Sequence, residues 1–255
     1  MTDPSPAPRE DHYDVTGSGP VLLVVPGGAG HPMGLEPMTD VLSGRFTVVT
    51  YDPLGLAHGR LGLPVADQRV ADWSEGARRV LDAVVDDGAP AHVLGMSSGG
   101  IAALDLLARH PGRVGRVIAH EPPSVAVLPD GERQRRLLLR QVGHPAPGDG
   151  EPASPLDIFR ARVVGPFTAY TPDLEALRAH AGRLTLAAGR DSRGELPHRT
   201  AVFLAERTGG GFAGFPGGHL GVLEHPQEFA RRVAEVLDGP GGGQVAGPRG
   251  HLQES

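Results

Sequence analysis

The chain has 255 residues and a formal net charge of −6, contains no Cys, and carries only Arg among its 24 basic residues. Those counts exclude disulfides, thiolate nucleophiles, cysteine-rich zinc sites, Schiff-base chemistry and a P-loop lysine. The acidic balance lacks the electrostatic footprint of a phosphate-backbone binder, so no nucleic-acid partner is expected.

Residues 1–11 are acidic and Pro-rich and read as a flexible N-terminus, without the charged and then apolar pattern of a secretory leader. Over residues 12–238 apolar runs of strand length alternate with amphipathic helical patterns. That alternation predicts one α/β domain with a mainly parallel sheet flanked by helices, and the length suits a single core. HYDVTG is a candidate edge strand. VLLVV (21–25), FTVVTY (46–51), AHVLGM (91–96), VGRVIAH (114–120), RLTLAA (183–188) and GFAGF (211–215) are the other strands.

Between the second and third of these six, Asp72 and Glu75 form a capping-box pattern ahead of Trp73, Ala77, Val80, Leu81 and Val84, with Gly88 as the expected stop. IAALDLLARH makes a further helix after AHVLGM. The last helix, introduced by His225-Pro226, is marked by Phe229, Val233, Val236 and Leu237. No stretch approaches the roughly 20 apolar residues of a membrane span, so no membrane partner and a cytoplasmic location are expected. Residues 239–255 are Gly-rich and read as a flexible tail.

The segment from about 122 to 182 breaks the alternation and is a candidate lid. It holds GERQRRLLLRQ, a Pro/Gly-rich stretch, and two helix starts, Ser154-Pro155 and Thr171-Pro172. Leu156, Phe159 and Val163 fall on one helical face, with Phe167 and Tyr170 following. These are candidate contacts for an apolar acyl or aryl group, although packing against the main domain would call for the same stripe. Arg133, Arg135, Arg136 and Arg140 beside Leu137 to Leu139 read as a solvated helix face or as an attractor for an anionic substrate such as a pantetheine thioester.

Chemistry concentrates in VLGMSSGGIAAL, Val93 to Leu104, where a strand pattern turns through small residues into a helix. Gly95-Met96-Ser97-Ser98-Gly99 fits GxSxG. A serine on such a sharp turn needs small neighbours two positions away on each side. Ser97 has Gly95 and Gly99, whereas Ser98 would have Met96. Ser97 is therefore the candidate nucleophile, and the Ser98 backbone N–H, opening the helix, is a candidate oxyanion donor.

A base is needed, and His219 in GFPGGHLG lies beyond the carboxyl end of the last strand, where open α/β folds keep their ligands. Upstream, Pro26-Gly27-Gly28-Ala29-Gly30 ends a strand in a turn that can aim backbone N–H groups at an oxyanion.

In these motifs and their order the chain resembles the α/β-hydrolases over about residues 12–238. The resemblance implies a helical lid inserted after the sixth strand, Ser97 as nucleophile, His219 as base and the amides of Gly28 and Ser98 as the oxyanion hole. Pro26 stands where the family often has His, and Tyr51 to Gly59 lacks the Arg, second Gly and Ser of the family's YDxRGxGxS loop.

Two residues compete for the acid. The usual place follows the seventh strand as GxxD, but Gly189-Arg190-Asp191-Ser192 puts Asp one residue early. Glu121, just after the preceding strand, sits where some related hydrolases keep theirs. The expected function is a serine hydrolase, free of cofactor and metal, that cleaves a small-molecule ester, thioester or lactone. The alternative is a scaffold used as a ligand-binding protein or non-hydrolytic cyclase.

Overall fold

The structure is a computed structural model that describes residues 11–32, 34–85, 88–143 and 152–239. Seven strands form one sheet in the order β1-β3-β2-β4-β5-β6-β7. They are β1 His12–Thr16, β2 Val21–Val25, β3 Thr47–Asp52, β4 Ala91–Met96, β5 Val114–His120, β6 Leu184–Gly189 and β7 Gly211–Phe215. All pairings are parallel except β1 with β3. Every residue of β2 and β4 is buried, as strands covered on both faces must be, whereas the edge strands β1 and β7 keep exposed positions.

Successive side chains feed two separate cores. Val21, Leu23 and Val25 face the layer of α2 (Val70–Val84), α3 (Ser98–Arg109) and α8 (Leu196–Thr208). Leu22 and Val24 face α1 (Glu36–Ser43) and α10 (Pro226–Asp238). No helix among the described residues is long and apolar enough to cross a membrane.

The helical insertion follows β5, the fifth strand in this chain rather than the sixth. The resemblance's numbering makes RLTLAA seventh, and the described sheet makes it sixth. The insertion contains α4 (Gly131–Val142), α5 (Pro155–Ile158), a wide helical turn at Phe159–Val163, α6 (Val164–Ala169) and α7 (Leu174–Ala179). The tail from 240 and the first ten residues lie outside the described residues. Asp11, assigned to the flexible arm, is instead held by Arg79 through contacts of 2.7 and 2.8 Å.

Two expected caps fall elsewhere. α2 starts after Arg69, so Asp72 is its third residue, where it takes a two-pronged bond from the Arg69 guanidinium at 2.9 and 3.0 Å rather than capping the helix. The helix also ends at Val84, before Gly88, because Val85 turns extended. Ser154 does cap α5, but α7 is capped by Asp173, whose carboxylate accepts from the N–H groups of Glu175 and Ala176, and not by Thr171. A carboxylate oxygen two residues nearer the helix takes the place of the threonine hydroxyl.

On the α1/α10 side lie two buried imidazoles. His120 is wedged against Phe215 and Phe229 at 5.6 and 5.1 Å, and His92 meets the edge of Phe46 at 6.3 Å. Burial pushes both down to about 4 from 6.5, so they are neutral in the folded protein at neutral pH. The unfolded chain binds these protons first, so each histidine subtracts about 3 kcal/mol of stability as pH descends from 6.5 through about 4. Urea unfolding at pH 7 and pH 4 should therefore show a shallower loss for His92→Leu than for the wild type; equal losses would contradict this assignment.

Candidate active site

Ser97 lies between β4 and α3, at the helix N-cap, with φ 51° and ψ −120°. A side chain resists that conformation, and here the surroundings enforce it. A Cβ on Gly95 would run into Gly99 and Ala103, and one on Gly99 into the Val25 and Pro26 carbonyls, so only glycine permits so tight a turn. The Ser97 N–H donates to the His120 carbonyl at 2.9 Å, which pins the elbow to the end of β5.

The next residue along β5 is Glu121, at φ 46°. It and Ser97 are the two non-glycine residues with positive φ among those described. His219 joins them from the loop after β7. Its Nε2 lies 3.2 Å from Ser97 Oγ, and its Nδ1 lies 2.7 Å from Glu121 Oε2. The three side chains thus form one hydrogen-bonded chain. The carboxylate is fully buried, while the His219 side chain is 34% exposed and reaches solvent.

Burial alone would push the Glu121 carboxyl up. Hydrogen bonds from His219 and Ser192, the nearby His120 and the Gly189 N–H outweigh it and hold the group at about 2. Glu121 Oε1 accepts the Gly189 N–H at 2.9 Å and a short bond from Ser192 Oγ, which leaves Oε2 to the histidine.

Asp191 does not join this chain. Its side chain is exposed and its N–H is tied to the Gly217 carbonyl at 3.0 Å, so the turn from Gly189 points residue 191 outward and residue 192 inward. The competition for the histidine's second nitrogen resolves to Glu121.

Gly28 and Ser98 lie on the two segments that meet beside Ser97. The Gly30 N–H donates to the Gly27 carbonyl at 2.9 Å, so across the trans peptide the Gly28 N–H faces the opposite way. A Cβ on Gly27 would sit 3.0 Å from Ser97 Cβ, which measures how closely this turn approaches the serine. The N–H groups of Gly28 and Ser98 have no acceptor among the described residues. Ser98 Oγ donates to the Gly28 carbonyl at 2.7 Å, fastening the two segments together.

A family model for the alpha/beta hydrolase fold matches residues 20–143. A relative from Bacillus subtilis (strain 168), the uncharacterized hydrolase YraK, is 30% identical over 89% of this chain and 92% of its own. The chain belongs to the α/β-hydrolase family. It is also similar to the zearalenone hydrolase of Bionectria ochroleuca, at 27% identity over 88% of this chain and 92% of that one. A solved carboxylesterase structure from Nitrososphaera gargenis superposes with a TM-score of 0.64 over 91% of this chain and 96% of its own, at 19% identity, a likeness of fold.

In this α/β-hydrolase the stripe expected to meet substrate is divided. Val163 and Phe167 are fully buried, and Phe167 meets Trp73 edge-on at 4.7 Å, while Phe159 packs partly buried against the same core. Leu156 turns to solvent at 53% exposure. The Tyr170 hydroxyl donates to Asp105 Oδ1 at 2.5 Å, and both burial and that carboxylate raise its pKa. Asp105 also receives the Ser74 hydroxyl. Phe167 and Tyr170 thus attach the insertion to α2 and α3, and Val163 is buried in the same core. The arginines of α4 are likewise engaged in part: Arg136 pairs with Glu132, and Arg135 donates to the Gly165 carbonyl at 3.0 Å.

Reading by motif missed Ser192 and the Tyr170–Asp105 pair. Ser192 carried a usable signal, because it occupies the GxxD offset with a hydroxyl in place of the acid. Tyr170 and Asp105 carried none, being joined across 65 residues by tertiary packing alone.

Proposed function

We propose that this protein is a cofactor-independent serine hydrolase that cleaves a small ester, thioester or lactone through an acyl-enzyme. The observation that carries the reading is the unbroken chain Ser97–His219–Glu121, with a buried, ionised carboxylate at its far end. Nucleophile, base and orienting acid lie in the mutual order such chemistry requires. The hydrolases among its relatives support the same class of reaction on a small molecule.

In this mechanism Ser97 Oγ attacks the substrate carbonyl carbon while its proton passes to His219 Nε2. The Gly28 and Ser98 N–H groups receive the negative charge on the carbonyl oxygen. Collapse of the adduct breaks the bond to the leaving alkoxide or thiolate, which takes the proton from Nε2. Water then attacks the acyl group, giving its proton to His219, and Ser97 departs and recovers that proton. Glu121 stays ionised throughout. It fixes Nδ1 as the protonated nitrogen, which leaves Nε2 free to act as base. The partly exposed Phe159 is a candidate to meet an apolar acyl or aryl group.

Incubation with a fluorophosphonate should give one adduct per chain, and peptide mapping should place it on Ser97 rather than Ser98. Absence of labelling alongside a reacting control esterase would overturn the reading in favour of a binding protein or cyclase.

A further inference from the structure

The carboxylate of Glu121 is clamped at one oxygen by a segment that also holds the histidine's loop. Two donors converge on Oε1, the Gly189 N–H at 2.9 Å and the Ser192 hydroxyl. Ser192 is fully buried. Its oxygen also lies 3.0 Å from the Gly189 carbonyl, but a hydroxyl has one proton, and an ionised carboxylate is the stronger acceptor. The same turn reaches the other way: the Arg190 N–H donates to the Phe215 carbonyl and the Asp191 N–H to the Gly217 carbonyl, each at 3.0 Å, on the segment leading to His219. A Cβ on Gly189 would collide with the carbonyls of Gly217 and Gly218, so this contact is backbone against backbone.

We infer that Ser192 is a positioning residue for the proposed hydrolysis: its hydroxyl holds Glu121 Oε1 so that Oε2 alone faces His219, and its turn sets the distance between acid and base. The inference rests on the serine-hydrolase reading and adds a residue that this reading does not require. The titratable groups facing the carboxylate are His219 and the buried His120, since Asp191 points outward. Removing the Ser192 donor concentrates charge on the carboxylate, which favours the imidazolium form of its partner, and it loosens the alignment of both groups.

The test is hydrolysis of 4-nitrophenyl acetate across pH by full-length Ser192→Ala, Ser192→Cys and Ser192→Thr, with Ser97→Ala alongside. Ser192→Ala should lose about tenfold in kcat with KM changed less than about twofold, and the acid limb of its kcat/KM profile should move up by about half a pH unit. Ser192→Thr, which keeps the hydroxyl, should restore both. Ser192→Cys, with a weaker donor of similar size, should fall between and serves if the alanine variant does not fold. Wild-type kcat and an unmoved acid limb in Ser192→Ala or Ser192→Cys, with Ser97→Ala inactive, would overturn the role of Ser192 alone. Activity retained by Ser97→Ala would instead overturn the hydrolase reading beneath it.

Discussion

Ser97→Ala is expected to lower kcat for a 4-nitrophenyl ester by about 10⁴-fold or more, with little change in KM. The substitution removes the attacking oxygen and the 3.2 Å contact with His219, and it leaves the backbone donors of Gly28 and Ser98 where they are. Substrate would still bind, and the remaining donors would still stabilise charge, which is why some catalysis over water should survive. The fold should be unaffected: alanine feels the same strain at φ 51° as serine, and the elbow is held by the 2.9 Å bond of the Ser97 N–H to the His120 carbonyl and by close glycine contacts. Circular dichroism and melting should match the wild type. Activity within tenfold of wild type would exclude an acyl-Ser97 intermediate.

The second large effect separates the two carboxylates that the sequence left in competition. Glu121→Gln should reduce kcat by about 10³- to 10⁴-fold, whereas Asp191→Asn should stay within about twofold of wild type. The asymmetry follows from the donors around Glu121. An amide there must turn its oxygen toward the Gly189 N–H and the Ser192 hydroxyl, which presents its NH₂ to His219 Nδ1. The imidazole can then avoid two opposed donors only by carrying its proton on Nε2, facing Ser97, and in that form it cannot take the serine's proton. Because the carboxyl group is held at about 2, it stays ionised across any practical assay range and adds no limb of its own above about pH 4. Equal losses for the two variants would show that the hydrogen-bonded chain is not what positions the base.

The sheet was legible because its central strands are buried on both faces. Runs such as VLLVV and AHVLGM are apolar throughout, and β4, β5 and β7 have the boundaries that those runs predict. The elbow was legible because steric demand writes itself into local composition: only glycine fits at positions 95 and 99. Helix starts were less so, since a cap is a choice among nearby acceptors. Asp173 displaced Thr171, and Asp72 found Arg69 instead of backbone amides.

The carboxylate that meets His219 was legible only as one of two, Glu121 or Asp191, for a different reason. Its identity depends on which way one turn after β6 points its side chains, and the offset rule placed a serine where an aspartate was sought. That serine's hydroxyl instead meets Glu121 Oε1. The insertion's apolar stripe was legible in part: Val163 and Phe167 pack inward, but helical spacing also put Leu156 on that face, and the wide turn at Phe159–Val163 breaks the register on which such spacing depends.

The hydrogen bond from Ser98 Oγ to the Gly28 carbonyl spans 70 residues of sequence. It ties a glycine-rich segment, with great conformational freedom in the unfolded chain, to the first turn of a rigid helix. The entropy of ordering that segment is therefore lost once, when the chain folds, and not again at each turnover. For the proposed hydrolysis, a site assembled in this way would meet its substrate already in the arrangement the reaction needs, so substrate binding would not have to supply free energy to build it.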